Sequence, residues 1–180
     1  MDTSVASILK KLPLRKHARI LDVGAGIQAR SFECISSIPE GEIILLEKDL
    51  DKLATITKQA EGYSKKGHTT RIHTLACDVD HGNNLPVRNS ICDVVLVSHT
   101  LRHVVYRESL LKECMRVLAP GGLLVVVELS EDVHGIVTHP DARVTLDEML
   151  EYTDRAGFII GEHFDTPHGE YGIIGVSPLE

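Results

Sequence analysis

Tryptophan is absent from the chain, and aromatic residues of all kinds make up only 4% of it. A nucleic-acid reader that stacks bases on exposed rings has too few rings to be built from such a sequence. Basic residues are in the minority, 19 Lys and Arg against 26 Asp and Glu, for a formal charge of −7. An acidic surface repels phosphate backbones and anionic headgroups, so neither nucleic acid nor a membrane surface is an expected partner. Long hydrophobic runs are missing too: the strongest, Leu123 to Val127, stops at Glu128, far short of the roughly 20 apolar residues that cross a bilayer. Near the start, Val5, Ala6, Ile8 and Leu9 run directly into Lys10 and Lys11. That is not the pattern of a secretory signal, and a cytoplasmic protein is expected. Cysteines are few and scattered, with Cys34, Cys77, Cys92 and Cys114 forming no CxxC pair. Reduced core thiols are expected, not disulfides or a zinc cage.

What is present suffices for one core. The 180 residues are 43% apolar and 25% charged, which suits a single domain covering residues 1–180. Val5, Ile8, Leu9 and Leu12 have helical spacing up to Pro13, and this helix is expected to lie across the top of a sheet. Arg19 to Val23 reads as a strand, the Gly24-Ala25-Gly26 turn follows, and a second helical pattern runs through Phe32 and Ile35. Ile43 to Leu46 is a continuous apolar strand of the kind buried on both faces. A helical face on Leu50, Leu53, Ala54 and Thr57 precedes a polar loop from Gly62 to Gly67 and a third strand near Ile72 to Ala76. Asp93 to Val97 and Leu123 to Glu128 are further strands, separated by a helical pattern on Leu111, Cys114, Met115 and Leu118 that Pro120-Gly121-Gly122 stops. Thr145 and Glu148 form a capping-box pattern for a helix closed by Gly157. Phe158 to Phe164 and Tyr171 to Val176 are joined only by the turn Thr166-Pro167-His168-Gly169, so they should pair antiparallel. Alternating strands and helices followed by a hairpin predict an α/β fold, a three-layer sandwich around a mostly parallel sheet with an antiparallel C-terminal hairpin at its edge.

Ligands of such sheets sit at the carboxyl ends of the strands. After the first strand stand Asp22, Gly24, Ala25 and Gly26, after the second Glu47, and after the third Asp78. Glycines let backbone amides approach a ligand, a carboxylate about 20 residues further on suits two ribose hydroxyls, and a second acid suits an exocyclic adenine amine. The set describes an adenosine-cofactor pocket. Gly24, Gly26 and Ala29 also satisfy the dinucleotide pattern, so an NAD(P)-binding oxidoreductase is the rival. Asp22 counts against it, because a carboxylate there repels a pyrophosphate and favours a cationic ligand.

The chain resembles the class I S-adenosylmethionine-dependent methyltransferases over nearly its whole length. Ile20-Leu21-Asp22-Val23-Gly24-Ala25-Gly26 is similar to the glycine-rich first motif, Leu46-Glu47-Lys48-Asp49 to the ribose-binding acid, and Cys77-Asp78-Val79 to the adenine-side motif. Leu85-Pro86, Cys92-Asp93-Val94-Val95 and Arg116-Val117-Leu118-Ala119-Pro120-Gly121-Gly122 follow in the family's order. Gln28 departs from it, standing where many members carry a third glycine. The resemblance implies a Rossmann-like seven-stranded sheet with one antiparallel strand. It further implies S-adenosyl-L-methionine as cofactor, bound by Asp22, Gly24, Ala25, Gly26, Glu47, Lys48, Cys77, Asp78, Val79, Ser98 and His99. The stretch Ser98-His99-Thr100-Leu101-Arg102-His103-Val104 carries a Leu-Arg-X-Val core similar to that of quinone-biosynthesis C-methyltransferases.

An imidazole titrates near neutral pH, so His99 and His103 are the candidate catalytic bases. Arg102, His103 and His134 are the candidate acceptor-binding residues, with Ser130 to Val144 as a lid. His134, His139, His163 and His168 match no compact metal-ligand spacing, and no metal is expected. A small-molecule acceptor is expected in a rather open pocket, or in one completed by a second copy or a partner chain. A catalytically silent cofactor-binding partner subunit is the remaining alternative.

Overall fold

A computed structural model describes residues 4–80, 84–129, 143–167 and 169–179. Seven strands form one sheet in the order β3-β2-β1-β4-β5-β7-β6. They are β1 (Arg19–Val23), β2 (Glu42–Glu47), β3 (Arg71–Ala76), β4 (Cys92–Ser98), β5 (Leu118–Leu129), β6 (Ile159–Asp165) and β7 (Glu170–Val176). The first five are parallel, and β7 runs antiparallel to both of its neighbours. The antiparallel strand is therefore interior. The chain passes β5, forms the outer strand β6, and folds β7 back into the gap, where the hairpin satisfies ladder bonds on both sides.

Side chains alternate across the pleat and divide the core in two. Leu21, Val23, Ile44, Leu46, Val95, Val97 and Val126 meet α3 (Arg107–Val117) and α4 (Leu146–Arg155) on one face. Ile20, Ile43, Leu45, Val94, Leu96 and Val125 meet α1 (Val5–Lys11), a 3-10 helix at Arg30–Ser37 and α2 (Leu50–Lys65) on the other. The first helix therefore packs on a face, not across the top, because Val5 and Leu9 are buried among Cys34, Ile35 and Ile38.

Local differences from the sequence expectation have identifiable causes. The pattern through Phe32 and Ile35 forms a 3-10 helix, Arg30–Ser37, not an α-helix. Helix α2 continues through Gly62 to Lys65, since Tyr63 stacks on Phe32 with ring centroids 4.9 Å apart and so anchors the last turn. Gly67, at φ +87°, ends it instead. Helix α3 stops at Val117, and β5 begins at once; Pro120-Gly121-Gly122 lies in a register shift between Cys92 and Val94 of β4. Among the described residues no helix separates β3 from β4. The capping box of α4 is present, with Thr145 and Glu148 satisfying each other's backbone amides. All four cysteines are free.

Gly172 shows how tightly β7 is inserted. A Cβ there would lie 2.3 Å from Val126 O and 2.6 Å from Phe164 Cζ. Gly172→Ala overpacks two strand pairs at once and is expected to cost about 2 kcal/mol. Urea unfolding checks this: the midpoint should fall with little change in slope, and an unchanged midpoint contradicts the packing argument.

Candidate functional site

Strand order reverses between β1 and its neighbours β2 and β4, and there a cavity of about 800 Å³ opens at the carboxyl edge. Its lining includes Gly24, Ala25 and Gly26 after β1, Glu47 and Lys48 after β2, Cys77 and Val79 after β3, and Ser98, His99 and His103 after β4. These predicted positions, scattered along the sequence, are brought together by parallel strands that all end on one side.

The glycine turn is shaped by two contacts. At Gly24, φ is +69° and a Cβ would lie 2.5 Å from Thr100 Oγ1, so glycine alone fits. Thr100 Oγ1 donates to Val23 O at 2.9 Å, which ties the ends of β1 and β4 together. Beyond it, Gly26 at φ +60° faces open space and leaves backbone for a ligand to approach. The second contact is the Glu47 carboxylate, which is buried. Its Oε2 accepts from Gly26 N at 2.9 Å and its Oε1 from Asp49 N at 2.9 Å. No cation contacts it among the described residues, and each oxygen keeps a lone pair for a further donor.

Three predicted site residues stand outside the lining. Asp22 is buried beneath the turn, where its Oδ2 accepts from Ser31 Oγ at 2.6 Å and Ser31 N at 3.2 Å. The pleat turns it into the face opposite Leu21 and Val23. Asp78 accepts from Asp80 N at 2.9 Å, closing a local turn. Asp80 lines the cavity in its place and pairs with Lys48. Arg102 is held in a buried ion pair with Glu128, Nε to Oε2 at 2.7 Å and Nη2 to Oε2 at 2.5 Å, so its guanidinium does not reach the lining. His134, and most of the Ser130 to Val144 stretch, lie outside the described residues.

Other lining residues were not expected from the sequence. Ile27, Gln28, Arg30 and Lys52 join the turn side of the cavity, and Thr100 its floor. Thr100 lay inside a stretch already of interest, but nothing local distinguishes a hydroxyl that braces a distant strand. Glu170 also went unseen. It lies 140 residues from Arg30, yet its Oε1 is 2.5 Å from Arg30 Nη2, a contact created by the insertion of β7.

The protonation landscape is uneven. Burial holds Asp22 up at about 6, against the opposing Ser31 bonds and the Arg30 charge. Burial and then the neighbouring Arg102 push His103 below the ordinary imidazole range. Burial, with Asp78 beside it, raises the Cys77 thiol. Among the described residues no three His, Cys, Asp or Glu side chains converge as metal ligands do.

Residues 21–126 match a family described as a methyltransferase domain. The chain is 28% identical over 132 residues to a ubiquinone/menaquinone biosynthesis C-methyltransferase of Syntrophotalea carbinolica, covering 72% of this chain and 51% of that protein. It is 31% identical over 120 residues to the protein of the same description in Ectopseudomonas mendocina, covering 66% and 44% respectively. The chain thus spans about half the length of the curated relatives it matches. Among solved structures, a SAM dependent methyltransferase from Aquifex aeolicus superposes with a TM-score of 0.79 at 16% identity, covering 94% of this chain and 87% of that one.

The raised Asp22 makes a prediction about stability. Its folded value near 6 exceeds the ordinary 3.8, so the fold prefers the protonated acid. The stabilisation is full below about 4 and is lost as pH rises through about 6, amounting to roughly 2–3 kcal/mol. Asp22→Asn, which cannot ionise, should gain on the wild type by about that amount between pH 4 and pH 7.5. Paired urea titrations measure the gap, and a gap independent of pH refutes the assignment.

Proposed function

The chain belongs to the class I S-adenosylmethionine-dependent methyltransferases, and from that premise we propose that residues 1–180 form one domain methylating a small aromatic diol at carbon. Membership makes S-adenosyl-L-methionine the cofactor in place of a nicotinamide, and the proposal takes this chain as the catalyst, not as a silent partner subunit. Among the described residues no helix is long and apolar enough to cross a membrane.

The cavity suits this donor. Gly26 leaves an uncovered backbone cradle, the 800 Å³ volume lies within the range of small-ligand sites, and Glu47 offers spare lone pairs to two adjacent hydroxyls. Glu47 also favours a cationic ligand: it lines the cavity and has no positive partner in contact among the described residues, whereas Asp80 is paired with Lys48. When bound, the donor supplies a methyl group on a sulfonium sulfur, activated without any covalent enzyme intermediate. We assign Gly24, Ala25 and Gly26 to backbone contacts, Glu47 to the ribose, and Lys48, Cys77, Val79 and Asp80 to the nucleobase side. Ser98 and His99 stand at the methyl end, and His103 borders the acceptor space. The task of the protein is alignment of acceptor and methyl group and exclusion of water. Quinone-related methylation at carbon is supported by the description of the curated relatives and the Leu101-Arg102-His103-Val104 stretch, and an aromatic diol is the reduced form of a quinone ring.

The observation that carries the reading is the Glu47 carboxylate, bonded to amides on both sides of the site and backed by no cation. Calorimetry with S-adenosylmethionine and S-adenosylhomocysteine should show binding, with NADH as a negative control. Glu47→Ala should weaken both by about 10- to 100-fold, the worth of charge-assisted hydrogen bonds. Labelled methyl should then pass to hydroquinone or naphthohydroquinone. Affinity unaffected by Glu47→Ala would remove the carboxylate from the site, and transfer confined to non-aromatic acceptors would remove the diol.

A further inference from the structure

One cluster of charged groups borders the cavity at the methyl end and includes a carboxylate, Glu170, that does not itself line it. Glu170, at the start of β7, is buried, and its Oε1 lies 2.5 Å from Arg30 Nη2 and 3.0 Å from His99 Nε2. Three elements far apart in the chain deliver these groups: the 3-10 helix, the end of β4 and the hairpin strand. Arg30 and His99 both line the cavity. Glu170 is fixed from behind, since its N–H donates to Thr166 Oγ1 at 3.1 Å and its carbonyl accepts from Thr166 N at 2.7 Å.

His99 is unusual in two respects. Its φ is +54°, a left-handed backbone that costs a non-glycine residue energy and persists where surrounding structure enforces it. Its Nε2 is buried and has no hydrogen-bond partner among the described residues, because the 3.0 Å approach to Glu170 lacks the direction of a ring N–H bond. The ring torsion of histidine is broad, so a modest rotation brings that N–H onto Oε1 without moving the backbone. An orphaned polar atom beside a buried carboxylate is costly, and this rotation closes the bond in the free protein and removes that cost.

We propose that Glu170 is a positioning residue for His99, holding the imidazole with its proton on Nε2 so that Nδ1 takes the hydroxyl proton of the acceptor. The inference rests on the methyl-transfer reading above. In the step, Nδ1 gains the proton and the freed oxygen pair enters the aromatic ring. The ring carbon forms its bond to the methyl group as the methyl–sulfur bond breaks, with both electrons remaining on sulfur. The proton on that same carbon then leaves to solvent, and aromaticity returns. Glu170 stabilises the imidazolium formed meanwhile, and Arg30 holds the carboxylate oxygen in place beside the ring. Glu47, Lys48, Lys52, Cys77, Asp80 and His103 also face the cavity. They are common to every variant below.

Two measurements test the proposal. Ring ¹⁵N spectra of the protein without donor, with His99 assigned by its absence in His99→Ala, should show an exchange-protected Nε2–H that disappears in Glu170→Ala. With hydroquinone as acceptor, Glu170→Gln should lower kcat by about tenfold and Glu170→Asp should restore part of it, as expected for the partner of a general base. S-adenosylhomocysteine affinity should stay within about threefold, the acidic limb of the kcat profile should move to lower pH, and Glu170→Gln should cost nothing further in a His99→Ala background. An Nε2–H signal indifferent to Glu170→Ala, or equal losses in both backgrounds, overturns the proposal. If the wild type methylates no diol, the acceptor reading fails, while the spectra still decide the role of Glu170.

Discussion

The interlock of Gly24 with Thr100 is the constraint on which the site depends. A methyl group at Gly24 would sit within 2.5 Å of the Thr100 hydroxyl, and that hydroxyl reaches the Val23 carbonyl at 2.9 Å. The ends of β1 and β4 can approach this closely only because one side chain is missing and the other is short and polar. Around that contact the glycine turn has its left-handed bend, Gly26 donates to Glu47, and His99 has its own left-handed backbone one residue before Thr100. Loosening the contact would shift cradle, carboxylate and imidazole together, which is how a packing feature comes to control chemistry.

Charge along the carboxyl edge has the same economy. Asp22, Glu47, Glu128 and Glu170, near the ends of β1, β2 and β5 and the start of β7, are all buried. Burying a carboxylate is costly unless it is paired, hydrogen-bonded or neutralised, and each of the four uses a different remedy. Asp22 sits against Ser31 with a raised pKa, Glu47 accepts backbone amides, Glu128 holds Arg102, and Glu170 meets Arg30 and His99. Only Glu47 is satisfied by neutral donors and also lines the cavity, so its charge is the one left to act on a ligand.

Much of this was legible in the sequence, for reasons that are local. Apolar runs such as Ile43 to Leu46 and Asp93 to Val97 announced buried parallel strands, and a glycine turn between strand and helix marked where a ligand meets the sheet. The capping box at Thr145 needed only four residues to be seen. What escaped was set by distant partners. The end of α2 is decided by Tyr63 stacking on Phe32, the interior place of β7 by competition for the edge of β5, and the diversion of Asp22, Asp78 and Arg102 by Ser31, Asp80 and Glu128. A residue type at a strand end states that a carboxylate or guanidinium is near the site; only its neighbours state whether it faces inward.

The two ends of the cavity accordingly have different origins. The end proposed to hold the nucleoside is assembled from segments that follow β1, β2 and β3, braced by backbone bonds such as Ala25 N to Leu46 O and Cys77 N to Glu47 O. The end proposed to hold the acceptor needs β7 to slot between β5 and β6, which carries Glu170 across 140 residues to Arg30. Contacts with that sequence separation are won late against chain entropy and depend on the hairpin closing correctly at Thr166. Donor binding should therefore be the more robust property of this fold. Disturbance of the C-terminal hairpin should remove turnover while the cradle at Gly26 and Glu47 still closes around its ligand, because nothing in that cradle is contributed by β6 or β7.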